Sequence, residues 1–125
     1  MFKKIIKKIY LLSYLILLLI LSSCTSSEVS FIKSAEFDAC PNITVEEMVN
    51  SYLSSPQWEA IVAEDERTYV NVTGGMTYDG DPADALIQFK IRDDLFQINA
   101  FELNGDPQNE FTIGILVSNM CDEAF

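Results

Sequence analysis

The stretch Ala85-Leu86-Ile87-Gln88-Phe89-Lys90-Ile91-Arg92-Asp93-Asp94-Leu95-Phe96-Gln97-Ile98-Asn99-Ala100 decides the fold class. Ala85, Ile87, Phe89 and Ile91 take every second position, and Gln88, Lys90 and Arg92 fill the alternates. Period two belongs to a half-buried strand, because successive side chains project to opposite faces. Asp93-Asp94 is a turn signal, after which Phe96, Ile98 and Ala100 carry the alternation on towards Leu103. So short a connection leaves no room for a crossover, so the two strands must pair antiparallel. Phe101 and Leu103 fall on the opposite parity from Phe96 and Ile98. That parity predicts some apolar side chains on the outer face of the sheet.

Upstream, Trp58, Ala60 and Val62 alternate with Glu59 and its neighbours, and Glu64-Asp65-Glu66 turns the chain. Thr68 to Thr73 reads as a second strand with Val70 and Val72 on one face. Gly74-Gly75 suggests a bulge or bend before Met76 to Tyr78, and Asp79-Gly80-Asp81-Pro82 is a turn. Before the strands, Thr44 is a helix cap, Glu47 completes a capping box, and Ile43 with Met48 fits a hydrophobic staple. Val45, Met48, Val49 and Tyr52 or Leu53 follow helical spacing, and Ser54-Ser55-Pro56 ends the helix. Downstream, Asn104-Gly105-Asp106-Pro107 closes the sheet, with Asp106 expected to cap a second helix and Pro107 to open it. Phe111, Ile115 and then Asn119 or Met120 mark the expected inner face of that helix. The expected architecture is α+β: helix, four-stranded antiparallel meander, helix, with both helices on one face of the sheet.

The first 24 residues are of a different kind. Lys3, Lys4, Lys7 and Lys8 precede an almost wholly apolar run from Ile9 to Leu21. Thirteen helical residues span about 20 Å, short of a hydrocarbon core of about 30 Å. A positive start, a short apolar run and then small residues make the layout of a secretory signal. Leu21-Ser22-Ser23-Cys24 resembles the lipobox of bacterial lipoproteins: an aliphatic residue, two small residues and a cysteine. The resemblance implies that residues 1–23 are a signal peptide removed before Cys24. It also implies that the Cys24 thiol carries a diacylglycerol and the new amino group a further acyl chain such as palmitate. More than one acyl chain makes bilayer anchoring stable. Thr25 stands where an inner-membrane retention signal would place aspartate, so in a two-membrane cell the expected address is the outer membrane, facing the periplasm. Residues 24–35 read as a lipidated cysteine with a flexible, serine-rich tether, and residues 36–125 as one small domain.

With Cys24 assigned to lipid, Cys40 and Cys121 form an even pair, and in an oxidising envelope the expected state is a disulfide. A metal pair or a catalytic thiol are the alternatives, and the chain has no histidine to complete either site. Ile43 to Glu59, Val70 to Gly75, Ala85 to Phe89 and Phe96 to Gln108 resemble a small uncharacterised domain of bacterial secreted proteins and lipoproteins. The landmarks are Pro56-Gln57-Trp58-Glu59, Ala85-Leu86-Ile87-Gln88-Phe89 and Asn104-Gly105-Asp106-Pro107-Gln108. The resemblance implies no activity.

Past Cys24 the chain has four cations, Lys33, Arg67, Lys90 and Arg92, against 19 carboxylates, a net charge of −15. Such a surface repels phosphate, which points away from nucleic acid; acidity also keeps a small domain soluble. Lack of histidine removes the usual general base, and Glu46-Glu47, Glu64 to Glu66 and Asp93-Asp94 sit at expected helix starts and turns, so the composition points away from an enzyme and from any cofactor. Asp79-Gly80-Asp81 with Asp84 resembles the opening of a calcium loop, but the twelfth position is Lys90, not glutamate. Asn42-Ile43-Thr44 and Asn71-Val72-Thr73 fit a glycosylation triplet and read instead as a cap region and a strand. Tyr69, Tyr78 and Phe101, with Trp58, are candidates for an aromatic partner surface.

The expected function is a non-enzymatic binding or structural module tethered to the bacterial envelope by Cys24. A second reading is an inhibitor, immunity or phage-exclusion lipoprotein that blocks an envelope enzyme or channel, its acidity suiting a basic protein partner.

Overall fold

The computed structural model describes residues 26–64 and 67–125. Cys24 and the stretch read as a signal peptide and lipobox lie outside the described residues. Among the described residues three helices and an antiparallel sheet follow in the order α1 (Ser27–Ser34), α2 (Val45–Tyr52), β1 (Ser54–Val62), β2 (Thr68–Tyr78), β3 (Asp81–Arg92), β4 (Leu95–Leu103), β5 (Asp106–Pro107) and α3 (Glu110–Ala124). The sheet runs β1-β2-β3-β4-β5, each strand beside its sequence neighbour. The α+β class and the meander therefore hold, with a fifth strand of two residues and one more helix than expected. Among the described residues no helix is long and apolar enough to cross a membrane.

Two turns are set by residues able to adopt the left-handed region. Asp79 and Gly80 have φ of 53° and 84°, and Asn104 and Gly105 have 51° and 84°. Positive φ at both central residues matches the twist of the flanking strands, which is why Asp-Gly and Asn-Gly close tight hairpins. In β3, Ala83, Ala85, Ile87 and Phe89 are all buried while Asp81 and Asp84 are exposed. Their face joins Val70 and Val72 of β2 in a single core cluster, to which all three helices contribute.

Helix α2 forms where its local signals place it. The Thr44 side chain accepts from the Glu47 N–H, and the Glu47 carboxylate accepts from the Thr44 backbone. Ile43 and Met48, the staple pair, are both buried.

Three expectations need correction. Residues 24–35 were expected to form a tether, yet Ser27–Ser34 is a helix capped by Ser26, with Val29 and Ile32 in the core. Ile32 is 0% exposed. Its neighbour Lys33 pairs with Glu46 at 3.3 Å and lies 5.4 Å over the Trp58 ring, so α1 is clamped to α2 and β1. Second, Asp106 and Pro107 form β5 instead of opening α3; Asn109 is the cap, its side chain accepting from the Thr112 N–H at 2.8 Å. Third, of the inner face expected for α3 only Met120 is buried; Leu116 joins it, with Ile113 and Val117 beside them, and Phe111 and Ile115 are exposed.

The disulfide between Cys40 and Cys121 is present, with a Cα–Cα distance of 5.9 Å across 81 positions of sequence. It joins the segment ahead of α2 to the last turns of α3, and so encloses the whole sheet. By the loop-entropy model this closure stabilises the domain by about 4 kcal/mol. Two outcomes are expected in denaturant unfolding of residues 25–125. Cys40→Ser with Cys121→Ser lowers the stability by about that amount. Ile32→Ala costs about 2–5 kcal/mol, as core truncations do; a loss within 0.5 kcal/mol, the range of surface substitutions, would return residues 24–35 to a tether.

Candidate functional site

Antiparallel pairing sets the face opposite the core as rows of side chains. Gln57, Thr73, Leu86 and Glu102 are register partners across four strands. The next row is Glu59, Asn71, Gln88 and Ala100, and the third is Ile61, Tyr69, Lys90 and Gln97. With strands about 4.8 Å apart, each row is about 14 Å long, and rows two residues apart are separated by about 7 Å. The middle row is held by side-chain amides: Gln88 Nε2 donates to Asn71 Oδ1 at 3.0 Å, and Asn99 Nδ2 donates to Gln88 Oε1 at 2.7 Å. Asn71 is thus fixed within the strand, as expected of a strand residue.

At one end of this face the chain opens a groove of about 480 Å³, rimmed by Ser54, Ser55, Gln57, Thr73, Glu102 and Gly105. A β-bulge shapes it. Ser54 pairs with Gly75 and Gln57 with Thr73, so Ser55 and Pro56 together oppose Gly74 alone. Sequence reading placed the irregularity on the glycines, but β2 runs unbroken through them and the extra residue is on β1. Ser55 takes a φ of 50°, which a non-glycine residue adopts only at a cost. Gly74 is needed because its neighbour leans close. A Cβ there would lie 3.0 Å from both Leu53 Cβ and the Ser54 carbonyl oxygen, whereas one on Gly75 would meet Ser54 Cβ at 3.7 Å. Opposite the bulge, Asp84 and Asn104 lock the β3–β4 end by two bonds: Asn104 N–H to the Asp84 carbonyl at 2.8 Å, and Asp84 N–H to Asn104 Oδ1 at 2.9 Å.

The groove therefore presents hydroxyls, one amide and the carboxylates of Asp84 and Glu102 around the side chain of Leu86, with the Ala85 side chain turned to the core. Among the described residues no hydrogen bond links Ser54, Ser55 or Thr73 to Asp84 or Glu102. The arrangement is suited to hold a polar ligand.

The aromatic partner surface is not assembled. Phe101 is 2% exposed and belongs to the core, because β4 carries an extra residue at Asn99 that reverses its parity. Tyr69 and Tyr78 stand nine positions apart on β2, about 30 Å, and on opposite faces. Tyr78, 53% exposed, borders the Asp79-Gly80 turn, while Tyr69 is half-buried between Ile61 and Lys90. Trp58 turns to the core side, stacked on Phe89 at 6.4 Å. Among the described residues no three metal-binding side chains converge, Asp79, Asp81 and Asp84 included.

No protein-family model matches the chain, and neither a curated protein nor a solved structure matches it.

The bulge gives a direct test of how the groove is built. Gly74→Ala is expected to lower stability by about 1–3 kcal/mol, the usual cost of overpacking. Gly75→Ala, with room for its methyl group, is expected to fall well short of that loss in the same urea titration.

Proposed function

We propose that the chain is a lipid-anchored, non-enzymatic binding module of the bacterial envelope, which holds a neutral hydroxyl- and amide-bearing ligand, of the glycan class, in the groove at the Ser54–Gly105 end of the sheet. The observation that carries the reading is the composition of that groove: Ser54, Ser55, Thr73 and Gln57 offer donors and acceptors without a cation, next to the carboxylates of Asp84 and Glu102. An anionic ligand would find no positive partner there, whereas hydroxyls can donate to Glu102 and exchange bonds with the serine and glutamine side chains.

The position of the expected anchor supports the same reading. Cys24 stands two residues before the Ser26 cap, roughly 7 Å of extended chain. Ser27 and Glu28 border a concavity shared with Arg67, Thr68, Ile91 and Asp93. Asp84, at the groove, is seven positions along β3 from Ile91, about 24 Å away. An acylated Cys24 would thus hold one end of the sheet at the bilayer and present the groove at the other. The extracytoplasmic disulfide chemistry of Cys40 and Cys121 agrees with export.

Two measurements test this. Mass spectrometry of the membrane-fraction protein is expected to find a chain that begins at a diacylglyceryl-modified Cys24, and Cys24→Ser to leave it unlipidated; an unmodified Cys24 removes the anchor. Sedimentation with purified cell-wall glycan is expected to retain the exported domain, and Leu86→Arg, which fills the groove floor, to reduce retention at least tenfold with the fold intact. Equal retention of the variant would remove the groove as the binding site.

A further inference from the structure

Helix α3 is apolar on two sides. Leu116 and Met120 are buried and Ile113, Val117 and Ala124 pack against the core, which accounts for one side. On the other, Phe111 is 77% and Ile115 45% exposed, one helical turn apart. A surface helix of a small domain ordinarily carries one apolar stripe; a second stripe is a face that awaits cover.

Two further observations bear on what covers it. Gly114 lies between Phe111 and Ile115 on this exposed side, and a Cβ on it would meet nothing within 4 Å. Glycine in a helix interior is destabilising relative to alanine, because its backbone has more freedom to lose. The domain's own packing gives no reason for that loss, whereas close approach of a second helix does. The charges of α3 are Glu110 at its start and Asp122 and Glu123 at its end, with no basic residue in the last turn. Asp122 and Glu123 face the negative end of the helix dipole, an unfavourable placement that a nearby cation would reverse.

We infer that the Phe111-Gly114-Ile115 face of α3 docks an α-helix of a protein partner, with a small or apolar seam over Gly114 and lysine or arginine on its flanks. Charge complementarity selects this occupant. A second copy of the chain would set acidic α3 against acidic α3 in two domains of net charge −15. A bilayer with anionic headgroups would be repelled by the carboxylates at both ends of the helix. The Cys40–Cys121 bond fixes the last turns of α3, so the face is ordered before the partner arrives. The inference gives the inhibitor-type reading a surface and does not depend on the groove or on the anchor.

The test uses the disulfide-bonded exported chain and two synthetic helical peptides with the same Ala/Leu seam, one flanked by lysines and one by glutamates. Titration followed by amide chemical shifts is expected to show saturable binding of the lysine peptide, with shifts centred on residues 110–119 and affinity falling as salt rises. Ile115→Asp and Gly114→Phe are expected to weaken it at least tenfold. Gly114→Ala, which adds only a methyl group in open space, is expected to raise the melting temperature, confirming that the glycine is not there for the fold. Equal affinity for the glutamate peptide, or shifts centred on the sheet, would overturn the inference. So would a dimer in sedimentation equilibrium that Ile115→Asp dissolves, which would assign the face to a second copy. Flotation of the unlipidated chain with anionic vesicles, abolished by Ile115→Asp, would assign it to the bilayer and equally overturn the inference.

Discussion

The extra residue of β4 governs what the sheet can be. Ile98 pairs with Phe89 and Ala100 with Gln88, so Asn99 has no partner of its own across the ladder. Through that insertion the strand changes parity, and Phe96 and Ile98 on one side of it and Phe101 and Leu103 on the other all meet the same core. Without it Phe101 and Leu103 would face outward and the Glu102 carboxylate would turn into the core in their place. The bulge residue is also put to use. Its side-chain amide reaches Gln88 and through it Asn71, which ties three strands together on the face the core does not use. A one-residue irregularity thus fixes both the filling of the core and the polar order of the opposite face.

A second bulge does comparable work at the other edge. Ser55 and Pro56 stand against Gly74, so β1 bends towards a backbone that has no side chain in the way. An edge strand carrying a proline and a bulge is poorly suited to pair with another chain, which protects the sheet from extension. The same bend opens the groove, so its shape comes from a feature that also limits aggregation. Glycine at 74 answers a steric demand, while glycines at 80 and 105 answer a dihedral one.

Legibility in the sequence followed the range of the deciding interaction. The capping box of Thr44 and Glu47 and the Asp79-Gly80 and Asp93-Asp94 turns act within a few residues, and each was readable where it stands. Alternation in β3 was readable because its buried face is unbroken. The parity of Phe101 was not, since Asn99 becomes a bulge only through its pairing with β3. Helix α1 was hidden by serine-rich composition: eight residues are too few to be helical alone, and what holds them is burial of Val29 and Ile32 with the Lys33 contacts to Glu46 and Trp58. At the start of α3 Asp106 pairs with Leu103 in the sheet, so it does not cap the helix, and Asn109 takes that place. Within the groove, Thr73, Leu86 and Glu102 come from three strands, and no local spacing marks them as neighbours.

The inward face of α3 was the other misreading, and its cause is physical. Phe111 and Ile115 are as apolar as Leu116 and Met120, so helical periodicity alone selects no single side. Tertiary packing makes the choice. The disulfide at Cys121 and the burial of Leu116 and Met120 set the rotation of the helix, which turns Phe111 and Ile115 out. A chain of this size with so high a negative charge gains little from exposing them, since self-repulsion already works against the compact state. The exposed pair is therefore a cost borne by the isolated domain, offset in part by the covalent closure between Cys40 and Cys121. A partner able to cover the pair and supply cations would relieve both the apolar exposure and the charge. It would do so on a helix that the disulfide already holds in place.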